Sequence, residues 1–390
     1  MTKKFFVGSE KPTLVLEVEM ENLSQREKEF PLEFQYALEL GLVGHPRDEM
    51  SAKTVYFSGL ELHATLLRTL KKKPFPSAGT FDWHGLVRKY YALLVKPELK
   101  LVNQETRFEE GRLVSRLGLT PLTVAPGEKK TARILIYAGP LHYNTLREFG
   151  FGFEKIFSQG LLGTLKSTLL TTLNFFHRIT GNYGFAILLV TLLLKLLFTP
   201  FTHLSYESMK KMQAPQPRLK ALQKQHQKDA ARLNKEMMEL YKRNRVNPMM
   251  GCLPLVLQIP IFISFYQVLS EAVELKGANF ILWIRDLSEP DRLFSWSASL
   301  PFVGNAFNLL PILMIGSMLW QQRLTPQTAA TPEQEKIMYF MPIIFGFVFY
   351  SLPSGLVLYW FVNNILTIFH QLVIKRIPVI LHHEDEHHDK

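Results

Sequence analysis

The run GFAILLVTLLLKLLFTPFTHL, Gly184 to Leu204, decides how the rest of the chain is read. At about 1.5 Å per residue it is long enough to cross a hydrocarbon core of about 30 Å. It carries one charge, Lys195, close to its middle. Roughly 13 Å of helix separates Lys195 from the C-terminal end of the run, and a lysine stem spans about half of that. An ammonium at such a depth costs at least about 2.5 kcal/mol, so it has to face protein or a water-filled cavity. Thr191, one turn earlier, extends the same polar stripe. The competing reading ends the helix near Pro200 and leaves Lys195 as an interfacial anchor.

Composition bounds the class. The chain has 390 residues, 47% hydrophobic, with 29 Phe and a formal net charge of +11. Apolar runs in a chain of near-neutral mean hydropathy point to a protein that is part soluble and part membrane. The positive charge is not spread as for nucleic-acid reading. Between Ser205 and Pro248, eleven Lys/Arg stand against four Asp/Glu, the basic excess that marks a cytoplasmic loop. The one cysteine, Cys252, excludes an intramolecular disulfide and a thiol metal cluster. Phosphate-loop, zincin and nucleophile-elbow patterns are all missing. No cofactor and no enzymatic chemistry is expected.

Residues 1–150 read as an antiparallel β-sandwich outside the membrane. Leu14, Leu16, Val18 and Met20 alternate with Val15, Glu17 and Glu19. Further short runs occur at Leu32–Leu40, Thr54–Ser58, Val87–Val95 and Thr131–Ala138, with turns such as Pro126-Gly127 between them. Trp83, Tyr90 and Tyr91 either line a sugar or peptide groove or pack the core. Residues 151–182 form a junction in which Phe157, Leu161, Leu162, Leu165, Leu169, Leu173 and Phe176 recur at helical spacing. They stand opposite Gln159, Lys166, Thr168, Thr171 and Thr172. This predicts an amphipathic helix ended by Gly181, lying flat in the membrane interface or packed on the sandwich.

Residues 183–376 carry four more apolar segments after the first: Met249–Ser270, with Pro254, Gln258 and Pro260; Leu309–Arg323; Ile337–Leu352; and Gly355–Ile374. The third and fourth spans, at roughly 24 Å, are shorter than a bilayer core and imply local thinning. With the basic loop inside, Glu271–Asn308 and the β domain lie outside and the C-terminus inside. The opening MTKKFFVGSEKP has no apolar core, so a signal-anchor helix is expected upstream, five spans here and six in all. Within the hairpin 205–248, Leu219, Leu222, Leu233, Met237, Leu240 and Tyr241 keep helical spacing, and Asp229 is placed to cap a second helix. Two helices of 15–20 residues are expected. Met209, Met212, Met237 and Met238 form either an adaptable binding surface or ordinary packing. In the tail, 377–390, His382, His383, His387 and His388 read as a solvated end rather than a metal site.

In order along the chain, GNYGF at Gly181–Phe185, Lys195 to Pro200, RVNPMMGCLPLVLQIPIF at Arg245–Phe262, LWIRDLS at Leu282–Ser288, LTP at Leu324–Pro326 and PSGLVLYWFVNN at Pro353–Asn364 together resemble the YidC family of membrane protein insertases. The β domain is similar by position, strand content, Trp83 with Tyr90-Tyr91, and Tyr137-Ala138-Gly139-Pro140. The resemblance implies an α+β membrane protein of the bacterial inner membrane. Its five-helix core would enclose a hydrophilic groove open to cytoplasm and lipid, with the β-sandwich in the periplasm.

Lys195 stands where the family usually has arginine, keeping the charge but losing the planar fork. Thr191, Gln258, Tyr359, Trp360 and Asn363 are the other implied groove residues. Met318, Ile344 and Val348 are implied apolar contacts for the substrate helix, and the hairpin Tyr206–Val246 is implied to receive substrates. Nascent membrane proteins and the lipid bilayer are the implied partners of a monomer. Cooperation with the Sec translocon and the ribosome stays open. Two other classes make different demands. A small-solute transporter requires inverted repeats, and none is found. A binding or sugar-acting domain on a membrane anchor requires a chemical constellation in Met1–Tyr143 and no charge at the depth of Lys195.

Overall fold

In the first fifty residues, Leu16, Val18 and Met20 are buried while their neighbours are half-buried, so period two is realised as a strand with one face inward. The computed structural model describes residues 1–39, 52–59, 61–158, 160, 162–226, 229–244, 246, 247, 250, 251, 253–300, 304–325 and 332–376. Gln159, Leu161, Arg245, Pro248, Cys252, Pro326 and the histidines of the tail lie outside them. The chain divides into two units, Met1–Gly163 with Glu271–Val273 and Thr164–Ser270 with the chain from Glu274.

The first unit holds β1 (Thr2–Val7), β2 (Thr13–Glu21), β3 (Lys28–Glu39), β4 (Lys53–Ser58), β5 (Glu61–Leu66), α1 (Leu67–Leu70), β6 (Phe75–Phe81), β7 (Trp83–Val87), β8 (Tyr91–Pro97), β9 (Leu101–Glu109), β10 (Arg112–Val124), β11 (Lys129–Pro140) and α2 (Tyr143–Glu148). One sheet has the order β1-β2-β11-β8-β7-β4-β5 and the other β3-β10-β9-β6. Every strand pair in them is antiparallel. The core takes Leu16, Val18, Val95 and Ile134 from the first sheet and Leu101, Leu117 and Leu119 from the second, which makes the unit a sandwich. Pro121 falls where β10 slips by one residue against β3, between Leu119 and Leu122. A proline tolerates an inner strand only at such a bulge, since it has no N–H to give the ladder.

The expected single run Val87–Val95 is a hairpin instead. β7 and β8 pair across it, and the Arg88 and Tyr91 backbones bond to each other at the turn. Trp83 and Tyr90 belong to the packed interior, Trp83 stacked on Phe57 and donating Nε1–H to the Phe151 carbonyl at 2.9 Å. Only Tyr91 of the three aromatics is exposed, so they form no groove.

The second unit is helical: α3 (Gly163–Thr180), α4 (Tyr183–Gln213), α5 (Gln216–Gln225), α6 (Ala230–Arg243), α7 (Leu253–Glu271), a β12–β13 hairpin (Phe294–Leu300, Gly304–Phe307), α8 (Leu309–Leu324), α9 (Pro332–Phe349) and α10 (Ser354–Arg376). GNYGF is the joint between the first two. Gly181 takes φ +68°, a left-handed conformation natural to a glycine past a helix end, and its N–H bonds to the His177 carbonyl. The Asn182 side chain then accepts from Gly184 and Phe185 N–H, capping α4. α3 starts later than expected and buries Lys166 together with Leu169, Leu170 and Leu173. The sequence pattern puts Lys166 on the polar face, whereas the structure buries it. Phe175 and Ile179 are exposed.

α4 runs unbroken through Pro200 to Gln213, so the polar loop begins inside a helix rather than after one. Asp229 caps α6 by accepting from Arg232 N–H at 3.0 Å, as the sequence suggests. α5 and α6, 10 and 14 residues, are shorter than expected. Tyr183–Gln213, Leu253–Glu271 and Ser354–Ile374 are long and apolar enough to cross a membrane, and Lys336–Phe349 is a shorter apolar helix. α8 has 16 residues, about 24 Å of helix. α10 packs on α8 and α4, and α9 on α8.

Candidate functional site

A cavity of about 270 Å3 opens among the apolar helices of the second unit. α4 contributes Lys195, Ser205, Tyr206 and Met209 to its wall, and α7 contributes Pro254, Gln258 and Ile261. From α10 come Tyr359, Trp360, Asn363, Asn364, Thr367, His370 and Gln371, while Gln321 and Thr325 stand at the end of α8. The contribution of α10 follows from its sequence: 360, 363, 364, 367, 370 and 371 recur at three and four residues, one face of a helix.

Lys195 Nζ donates to Thr367 Oγ1 at 2.7 Å. Thr367 Oγ1 itself donates to the Asn363 carbonyl at 2.6 Å. Gln258 Nε2 donates to the Tyr359 hydroxyl, and the Tyr359 ring stacks on Phe265 with centroids 4.6 Å apart. Asn364 Nδ2 bonds Ser317 Oγ at 3.0 Å and Gln371 Nε2 bonds Thr325 Oγ1 at 3.0 Å, both tying α10 to the α8 side. Trp360 joins the cavity to an aromatic cluster, lying 5.5 Å from Phe262, 5.7 Å from Phe345 and 5.3 Å from Phe349 between ring centroids.

Two features set the electrostatics. Among the described residues no carboxylate lines the cavity, so the Lys195 ammonium has no anionic partner in its wall. In addition, Ser205 Oγ, Trp360 Nε1, His370 Nδ1 and Gln371 Oε1 are buried without a hydrogen-bond partner among the described residues, and all four residues line this space. Buried polar atoms cost roughly 1–3 kcal/mol each when left unsatisfied, so this part of the wall is held at an energetic cost.

The cavity therefore gathers Lys195, Gln258, Tyr359, Trp360, Asn363 and Met209 from the residues singled out in the sequence. Thr191 is buried, but its hydroxyl is spent on the Ile187 carbonyl at 2.6 Å and it is not part of the lining. Met318 is half-buried on α8, outside the lining. Ile344 and Val348, each 57% exposed, lie on α9 away from the face that Gly346 gives to Ile315 of α8. Met212 and Met237 are packed with Leu219 and Tyr241 inside the hairpin, and only Met238 of the methionine set is strongly exposed. Ser205, Thr367, His370 and Gln371 were not singled out. The three- and four-residue spacing of polar residues along α10 is the feature that marks three of them.

Beyond the cavity, the loop before α8 is stitched to helix starts. Asp291, buried, accepts from Trp283 Nε1 at 2.7 Å and from the Leu309 and Leu310 N–H groups at 2.9 Å. Ser354 and Gly355, opening α10, donate their N–H groups to the Glu289 and Leu287 carbonyls. Free N–H groups at two helix starts are thus satisfied by one loop.

The family model described as 60Kd inner membrane protein matches residues 175–380. The membrane protein insertase YidC of Pelobacter propionicus is 39% identical over 329 residues, 84% of this chain and 60% of that protein. The protein of the same name from Francisella tularensis subsp. novicida is 40% identical over 294 residues, 75% of this chain and 51% of its own length. The chain thus spans a little over half the length of the relatives it matches. A crystal structure described as an active YidC insertase with the first transmembrane domain resolved aligns at TM-score 0.45 and 19% identity, covering 96% of this chain and 95% of that one. With the family match running over more than half its length, the chain belongs to the 60Kd inner membrane protein family, the family of the YidC insertases.

Proposed function

We propose that the chain is a membrane protein insertase whose Lys195 cavity receives the hydrophilic end of a client while the client's apolar helix passes sideways into lipid. The observation that carries this is Lys195: a cation without a carboxylate in its wall among the described residues, inside a cavity also lined by Gln258, Asn363, Asn364 and Thr367, in helices whose outer faces are apolar. A fixed positive charge attracts acidic groups of a client tail, and a wet cavity shortens the low-dielectric path that tail must cross. Partitioning of the apolar segment into lipid drives release, so no nucleotide is required.

Five helices, α4, α7, α8, α9 and α10, form the membrane core in this reading. The shortness of α8 and of the apolar part of α9 supports a locally thinned bilayer. The basic α5–α6 hairpin lies in the cytoplasm and meets clients first. The β-sandwich lies in the periplasm, and α3 rests in the membrane interface. Ile344 and Val348, outside the cavity, are lipid-side contacts for the departing helix. Nascent membrane proteins are the clients, received either directly or from the Sec translocon.

The test is insertion of a single-span client with an acidic N-terminal tail into proteoliposomes. The unaltered chain inserts it without nucleotide, and Lys195→Arg works comparably. Lys195→Leu loses at least about tenfold, the worth of one charge-assisted contact. Full activity of Lys195→Leu would remove the charge from the mechanism.

A further inference from the structure

The cavity of Lys195 holds a second, unassigned part of the charge device, and this inference rests on the function proposed above. We propose that Thr367 is the positioning residue that holds the Lys195 ammonium in the cavity. The two side chains come from different helices, 172 positions apart in sequence, and meet at 2.7 Å. Thr367 is buried, and its own proton is committed to the Asn363 carbonyl at 2.6 Å. Its lone pairs are thereby turned into an acceptor for Lys195, so the α10 backbone fixes the hydroxyl and the hydroxyl fixes the ammonium.

Thr191, Thr199 and Thr202 on α4 make the same bond to their own helix carbonyls. Among the four, Thr367 is the one that also accepts from a cation among the described residues. The pairing answers a particular need of lysine. A guanidinium is a rigid fork that stays oriented with few partners, whereas an ammonium sits on a flexible four-carbon stem and has to be tethered to present its charge at one place. Thr367 is the one side chain hydrogen-bonded to Lys195 among the described residues. Two of the three ammonium N–H groups are thus left for a guest.

The experiment uses the full chain in proteoliposomes with Thr367→Val, which keeps the shape and removes the acceptor, and Thr367→Ser, which keeps the acceptor. Thr367→Val is expected to lower insertion of an acidic-tailed client roughly tenfold, the worth of one charge-assisted hydrogen bond, and to leave a neutral-tailed client within about twofold. Thr367→Ser is expected to match the unaltered chain. In a Lys195→Leu background Thr367→Val is expected to cost nothing further.

A second readout does not depend on insertion. Acylation of Lys195 by a water-soluble amine reagent, followed by peptide mass, should speed up at least about threefold in Thr367→Val and not in Thr367→Ser, because an untethered amine samples more of the wet cavity. Equal losses for both clients in both backgrounds, or an unchanged acylation rate in Thr367→Val, would overturn the proposal. If the unaltered chain inserts nothing, the insertase reading fails, and the acylation rates still decide whether Thr367 tethers Lys195.

Discussion

Gly184 is where the joint between α3 and α4 admits no side chain. A Cβ built there would stand 1.9 Å from Cδ2 and 2.7 Å from Cβ of Phe280, so the whole Phe280 residue, not only the tip of its ring, has to shift. The Asn182 side chain bonds the Gly184 N–H on one side and donates to the Asn279 carbonyl on the other, holding both segments in place. Gly184→Ala is therefore expected to destabilise the helical unit by about 1–3 kcal/mol, as overpacking of a fixed contact does. Thermal unfolding of the detergent-solubilised chain measures it. Phe280→Ala in the same background should recover part of the loss, since it removes the opposing atoms. A glycine in an apolar stretch here serves close approach rather than flexibility.

At the scale of elements, α8 depends on a residue that is not its neighbour in sequence. Its first two N–H groups are bound by the Asp291 carboxylate, which also takes the Trp283 indole N–H. Asp291→Ala would leave three donors without their acceptor in a largely buried site. The expected cost is about 3 kcal/mol or more, with Asp291→Asn milder because one acceptor oxygen survives. Faster hydrogen exchange at the Leu309 and Leu310 amides would locate the damage at the start of α8.

Such a cap was illegible beforehand, because 18 residues separate Asp291 from Leu309 and no local spacing relates them. What depends on local spacing was legible: the alternation in β2, Gly181 as the end of α3, Asp229 as the cap of α6, and Lys195 facing protein and a cavity. Val87–Val95 was misread as one strand because its turn, Arg88 to Tyr90, contains neither Gly nor Asn. The methionines divided for a similar reason. Residues 237 and 238 differ by one position, which on a helix is enough to bury one and expose the other. Thr191, expected to face the groove, is outside the cavity lining, and its hydroxyl turns back to its own backbone, as threonine in a helix readily does.

At the scale of the molecule, both units bury polar groups, and those of the sandwich include one that titrates. In the helical unit Asp291 is held by three donors, while Ser205 Oγ, Trp360 Nε1, His370 Nδ1 and Gln371 Oε1 are buried without a hydrogen-bond partner among the described residues. In the sandwich, His84 is fully buried and enclosed: Nδ1 meets the Tyr36 hydroxyl at 2.5 Å and Nε2 meets Thr54 Oγ1 at 2.9 Å. Thr54, Thr106, Ser115 and Gln104 extend the network through bonds of 2.8 to 3.1 Å. Burial pushes the imidazole down to about 3, outweighing a hydrogen bond with Gln104 that acts the other way.

The consequence for pH has a definite sign. Above the unfolded value of about 6.5 both states are neutral at this histidine and the sandwich has its full stability. As pH falls from about 6.5 toward 3, the unfolded chain binds a proton that the folded one refuses, and stability drops by up to about 1.4 kcal/mol per pH unit. The opening free energy of β7 and β4, from hydrogen exchange corrected for intrinsic rates, should therefore be about 1.4 kcal/mol lower at pH 5.5 than above pH 7. His84→Gln, which keeps a donor and an acceptor but cannot titrate, should flatten that slope whatever it does to the absolute stability. An equal slope in His84→Gln would assign the acid sensitivity to other groups and leave His84 as a purely structural link between the sheets.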